Sequence, residues 1–126
     1  MRIIFDTYSW IEYFEASQKG EIVRRHLENE EVITPSIVLL ELSYKADVKG
    51  WDFLKVLNFI KMKSQVVGFN DEFVLKFGKI YNEAKRKVKD MGLADCIILT
   101  TAKLNDAKIL TGDTHFTKFK EAIILR

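Results

Sequence analysis

Apolar residues in this chain come in short bursts, and nearly every burst is followed by a stretch with helical spacing. Residues 2–5 (RIIF), 31–34 (EVIT), 65–68 (QVVG), 108–111 (KILT) and 122–125 (AIIL) have the length and β-branched content of strands buried on both faces. Between them, residues 8–14, 20–29, 37–46, 51–61, 71–89 and 94–104 repeat apolar side chains at three and four residues, as helices do. The punctuation agrees. Pro35 precedes one helix, Gly50 divides two, Asn70 or Asp71 caps the long one, and Gly92 opens the last. Strands that alternate with helices must run parallel, because each return needs a crossover. The predicted fold is therefore α/β: a three-layer α/β/α sandwich with a mainly parallel central sheet. In such sheets ligands bind where the strands end.

With 126 residues, 48% hydrophobic and 30% charged, the chain has the composition of one globular domain, read as residues 1–126. Disorder is excluded by that apolar content and a net charge of only +2. The single cysteine, Cys96, forms no internal disulfide and builds no thiolate zinc site. A reducing, cytoplasmic setting follows from that. No apolar run has the roughly 20 residues that a membrane span needs.

Four acidic residues stand in apolar surroundings. Asp6 follows Ile3-Ile4-Phe5, and Glu41 follows Ile37-Val38-Leu39-Leu40. Asp95 lies between Leu93-Ala94 and Cys96-Ile97-Ile98, and Asp113 comes just after Ile109-Leu110-Thr111. Each has a local explanation: Asp6 and Asp95 as helix caps, Glu41 as half of a surface pair with Lys45, Asp113 as a turn residue. The apolar neighbours Ile37, Leu40 and Tyr44 argue against an exposed Glu41. Together the four point to one pocket. Converging carboxylates need a counter-charge, and an all-oxygen cluster suits Mg²⁺ or Mn²⁺. Zinc is disfavoured, since His26 and His115 are too few and badly spaced. His26 reads as a surface residue; His115 lies near enough to Asp113 to touch the site but reads as a local structural residue.

In this order and at this length, the segments resemble the PIN-domain family, most closely its small single-domain VapC-type members. Ile3-Ile4-Phe5-Asp6-Thr7 looks like the opening strand and first aspartate. Thr34-Pro35-Ser36 with Leu40-Glu41-Leu42 resembles the second motif, and Leu93-Ala94-Asp95-Cys96 the third. Thr111-Gly112-Asp113-Thr114-His115-Phe116 is similar to the closing T-x-D-x-x-F. The resemblance implies a metal-dependent endoribonuclease with Asp6, Glu41, Asp95 and Asp113 as the catalytic, metal-holding carboxylates and Thr111 as a supporting hydroxyl. It also implies a homodimer and, for toxin-type members, a small antitoxin protein. One position departs from the pattern. Tyr8 stands where the family often has a small polar residue, so the hydroxyl near Asp6 comes from Thr7, from Ser9 or from neither.

Lys85, Arg86, Lys87 and Lys89 put four cations at the end of the long helix. They suit RNA phosphates, or they complement the helix dipole in solvent. The competing reading of the whole chain is a non-catalytic PIN-like module that binds RNA or a protein. Phosphoaspartyl and P-loop enzymes are excluded for want of their motifs.

Overall fold

The computed structural model describes residues 1–126, in the order β1 Arg2–Phe5, α1 Thr7–Phe14, α2 Gln18–Asn29, β2 Glu31–Pro35, α3 Ser36–Lys49, α4 Phe53–Lys63, β3 Gln65–Val67, α5 Asp71–Lys87, α6 Leu93–Asn105, β4 Lys108–Thr111 and β5 Ala122–Ile124. A short 3₁₀ turn, Thr114–Phe116, follows β4. The predicted α/β class is the observed one, with every strand pair parallel. Element bounds shift by a residue or a few. The helix after Pro35 runs on to Lys49, where Gly50 stops it in the left-handed conformation at φ 75°. The long helix ends at Lys87, so Lys89 lies beyond it.

The strand order is β3-β2-β1-β4-β5. From β1 the chain builds the sheet outward through β2 and β3, then returns to add β4 and β5 on the other side. The order reverses between β1 and β4, which creates the crevice where parallel sheets hold ligands. The register pairs Ile4 with Ile109 and Phe5 with Leu110, which carries Asp6 to the level of Thr111. Being central, β1 is sealed on both faces: Ile3, Ile4 and Phe5 are fully buried.

Helix α1 is fixed to the sheet by Trp10, which is fully buried. Its ring packs edge-on to Phe5 at 5.0 Å and against Phe14 at 5.7 Å. Its indole Nε1 donates to the Thr34 hydroxyl at 3.2 Å, and that hydroxyl is also hydrogen-bonded to Ser64 at 2.8 Å. Thr34 therefore has a structural role. In α5 the apolar stripe is Phe73, Phe77, Ile80, Tyr81 and Ala84, whereas Val74 is off it, 65% exposed.

Helices α1 and α2 cross closely at Gly20. A Cβ there would lie 2.1 Å from the carbonyl oxygen of Glu12, a backbone atom that cannot step aside. Gly78, in exposed α5, has nothing within 4 Å of its missing Cβ. Opposite effects follow for one chemical change. Gly20→Ala lowers unfolding stability by about 1–3 kcal/mol through overpacking. Gly78→Ala raises it by about 0.5–1 kcal/mol through helix propensity. Urea denaturation of both variants measures the signs.

Candidate active site

The switch point between β1 and β4 opens into a pocket of about 400 Å³ lined by Asp6, Thr7, Tyr8, Glu41, Asp95, Ile98, Gly112, Asp113 and Thr114. All four sequence-selected carboxylates face it, from four different places in the chain.

Asp6 is the N-cap of α1 and a pocket residue at once. Its Oδ1 accepts from the Ser9 amide at 2.8 Å. It is only 4% exposed. Burial pushes its carboxyl up to about 6, against hydrogen bonds from the Thr111 hydroxyl and Ser9 that pull it down. The nearby Asp113 charge adds to the upward push.

Glu41 is half-buried on α3, and its Oε1 accepts from the Thr7 hydroxyl at 2.6 Å. Its sequence neighbours mislead. Leu40 and Tyr44 are 67% and 61% exposed, and the core face of α3 is Val38, Leu42 and Ala46. Lys45 makes no ion pair with Glu41 but lies 5.4 Å from the Tyr44 ring centroid.

Asp95 occupies the first turn of α6, where its Oδ2 accepts from the Gly92 amide at 3.4 Å. Asp113 caps the turn after β4. Its Oδ1 accepts from the His115 amide at 2.9 Å, and its own amide donates to Thr111 Oγ1 at 2.9 Å. The hydroxyls near Asp6 thus divide their work: Thr7 reaches Glu41, while Ser9 Oγ donates to the Leu110 carbonyl and its amide holds Asp6.

His115, read from the sequence as a local structural residue near Asp113, joins the site. Its Nδ1 lies 3.1 Å from Asp95 Oδ2 and 3.5 Å from Asp113 Oδ1. Asp95, Asp113 and His115 form the tightest donor group, with one ligand atom from each within 4.8 Å of the others. The Asp95 carboxylate that it touches, and then Asp113, hold the imidazolium above its usual range. The available signal was its place two residues after Asp113 in a tight turn, which folds the ring back over the capping carboxylate. His26 lies elsewhere, half-buried 3.8 Å from Glu30.

No lysine or arginine pairs with any of the four carboxylates; their only ion-pair partner is His115. A buried Asp6 without a cation, three further carboxylates and an imidazole make a donor set that fits a hard divalent cation such as Mg²⁺ or Mn²⁺. Lys85, Arg86, Lys87 and Lys89 are exposed and line no part of the pocket. Lys85 and Lys87 lie over the Tyr81 and Phe119 rings.

A family model described as PIN domain matches residues 3–122. No curated protein sequence matches the chain significantly. Among solved structures, VapBC2 from Rickettsia felis, bound to a promoter DNA fragment, is similar with a TM-score of 0.77 at 19% identity, covering 98% of this chain and 97% of that one. A toxin–antitoxin complex from Klebsiella pneumoniae gives 0.78 at 17% identity, covering 98% of each chain. VapC20 of Mycobacterium tuberculosis, described as a sarcin–ricin loop cleaving toxin, gives 0.67 at 14% identity, covering 94% of this chain and 97% of that one.

The raised Asp6 carboxyl has a measurable consequence in metal-free protein. The folded state holds that proton more tightly than the unfolded chain, so Asp6 makes stability fall as pH rises from 3.8 to about 6. Asp6→Asn, which keeps the helix cap, removes this slope and stabilises the protein at neutral pH by up to about 3 kcal/mol. Urea midpoints across this pH range in EDTA should diverge between the two proteins; parallel curves would contradict the burial argument.

Proposed function

This chain belongs to the PIN domain family, and from that membership and the geometry of its pocket we propose that it is a divalent-metal-dependent endoribonuclease, the toxin of a cytoplasmic toxin–antitoxin pair. The observation that carries the proposal is the convergence of Asp6, Glu41, Asp95 and Asp113 at the sheet's switch point with no lysine or arginine to neutralise them. The toxin–antitoxin complexes among its structural relatives, and the RNA-cleaving description of one, support the same reading.

Asp6, Glu41, Asp95 and Asp113 would hold Mg²⁺ or Mn²⁺, with His115 beside them. When bound, such a cation supplies positive charge at the phosphodiester and acidifies the attacking water. The chain's own contribution is orientation. Thr111 and Ser9 hold Asp6, Thr7 holds Glu41, and the Thr111 hydroxyl also fixes the Asp113 backbone. Groups that aim ligands in this way set affinity and reactivity. In this reading water would attack phosphorus in line with the departing oxygen, which leaves as its bond to phosphorus breaks.

RNA must also be held. Lys85, Arg86 and Lys87 end α5, which packs on α6, the helix that carries Asp95. None of them, nor Lys89, is in an ion pair, which leaves their charge available to phosphates. Leu40, Tyr44 and Val48 form an exposed apolar row on α3 beside Glu41. That row supports a protein interface, with a second copy or with the antitoxin.

The decisive measurement is cleavage of RNA with Mg²⁺ or Mn²⁺ against an EDTA control. Asp95→Asn abolishes it and also abolishes the rise in melting temperature that Mn²⁺ gives the wild type. Thr7→Val lowers metal affinity or activity by about 10–100-fold. RNA that is bound but never cut in Mn²⁺ would favour a binding-only module. Charge reversal at Arg86 and Lys87 weakens RNA binding and flattens its salt dependence by about 0.7 per lost phosphate contact; unchanged binding would leave those cations to the helix dipole.

A further inference from the structure

One wall of the acidic pocket does no work for the carboxylates. Tyr8 lies between Thr7, which holds Glu41, and Ser9, which holds Asp6, yet it touches neither acid through a hydrogen bond. Its ring stands against Gly112 on the opposite wall. A Cβ at Gly112 would fall 2.2 Å from Tyr8 Cε1 and 2.3 Å from Cζ, so the ring takes the space of the side chain that Gly112 lacks. The phenol is thereby fixed between two catalytic segments, with its hydroxyl at the rim.

That hydroxyl accepts a hydrogen bond from Lys19 Nζ at 3.0 Å. Lys19 belongs to the first turn of α2, and its Nζ also lies 5.6 Å from the Tyr8 ring centroid. No other lysine or arginine is hydrogen-bonded to a residue that lines the pocket. Glu12 is the carboxylate whose charge acts on Lys19, but its Oε2 is engaged by the Ser17 hydroxyl and forms no ion pair with the ammonium. A lysine on a surface normally sweeps through many rotamers. This one is tethered, and tethered to a neutral phenol, which orients the ammonium without cancelling its charge. A pocket built of carboxylates repels a polyanion. An oriented cation at its edge, in no direct ion pair, is what a bound strand would need there.

We propose that Lys19, held by Tyr8, is a positioning residue that binds an RNA phosphate flanking the linkage cut in the acidic pocket. The proposal rests on the nuclease reading above and goes beyond it, since it assigns to α1 and α2 a share of substrate binding. It also gives Tyr8 a role: it carries the phosphate anchor, and Gly112 is the residue that makes room for it.

The test uses the full chain and a fluorescein-labelled single-stranded RNA of mixed sequence. Binding is measured by anisotropy over a range of KCl concentrations in the Asp95→Asn background, where the strand stays intact. Lys19→Gln should weaken binding and reduce the slope of log K against log salt by about 0.7, one single-strand phosphate contact. Lys19→Arg should restore both, because the charge returns to a similar reach. Tyr8→Phe, which keeps the ring over Gly112 and removes only the hydroxyl, should weaken binding in the same direction. In the cleaving protein, Lys19→Gln should raise KM with kcat little changed. Lys19 is half-buried, so the urea midpoint of Lys19→Gln is measured beside the parent's to separate lost binding from lost folding. If the parent binds and cuts RNA while Lys19→Gln matches it in affinity and slope, this inference falls and the nuclease reading stands. Failure of Lys19→Arg to restore the slope also overturns it. If the parent neither binds nor cuts RNA, both fall together.

Discussion

A carboxylate at the end of a strand sealed on both faces is the constraint around which this molecule is arranged. Ile3, Ile4 and Phe5 are fully buried because β1 is the middle strand, and the next residue, Asp6, is carried into the same dry surroundings. Burial alone disfavours its ionised form. The surroundings respond with a helix N-terminus, a serine amide and a threonine hydroxyl, but not with a lysine or arginine. That unrelieved cost, with Glu41, Asp95 and Asp113 brought to the same mouth, is what the proposed cation site rests on.

Much of this was legible along the chain because the strand is a short-range signal. The bursts RIIF, EVIT and KILT announce parallel strands, and residues just past two of them, Asp6 and Asp113, announce the ligand edge. The neighbourhood of those strands was not legible. Nothing in the sequence says that β4 pairs with β1 and not with β3, yet that pairing alone puts Thr111 beside Asp6. Glu41 was singled out correctly as a pocket residue on an incorrect ground. Leu40 and Tyr44 lie on the outer side of α3, and the contact that brings Glu41 in is the hydroxyl of Thr7. His115 read as merely structural because its partner Asp95 lies on another element, and only the tertiary fold joins them.

Tyr8 shows how a departure from a pattern can be an addition. Tyr8 stands beside Asp6 where the resemblance led to the expectation of a small polar residue, and its ring fills the space that a Cβ at Gly112 would need. The hydroxyl duties that a small residue there would carry fall to Thr7 on Glu41 and to Thr111 on Asp6. The pocket keeps its carboxylates and gains a rigid rim.

The strand order has a consequence in time as well as in space. β1 is the first strand to be made and β4 the fourth, yet the two lie side by side, and Asp6 needs Thr111 and Asp113 for its surroundings. During synthesis the central strand keeps one open edge until β4 arrives to pair with it. The acidic mouth is therefore assembled only after β4 has been made and has paired with β1. A growing chain carries the first carboxylate from the start and the full constellation only once β4 and the turn after it have been added.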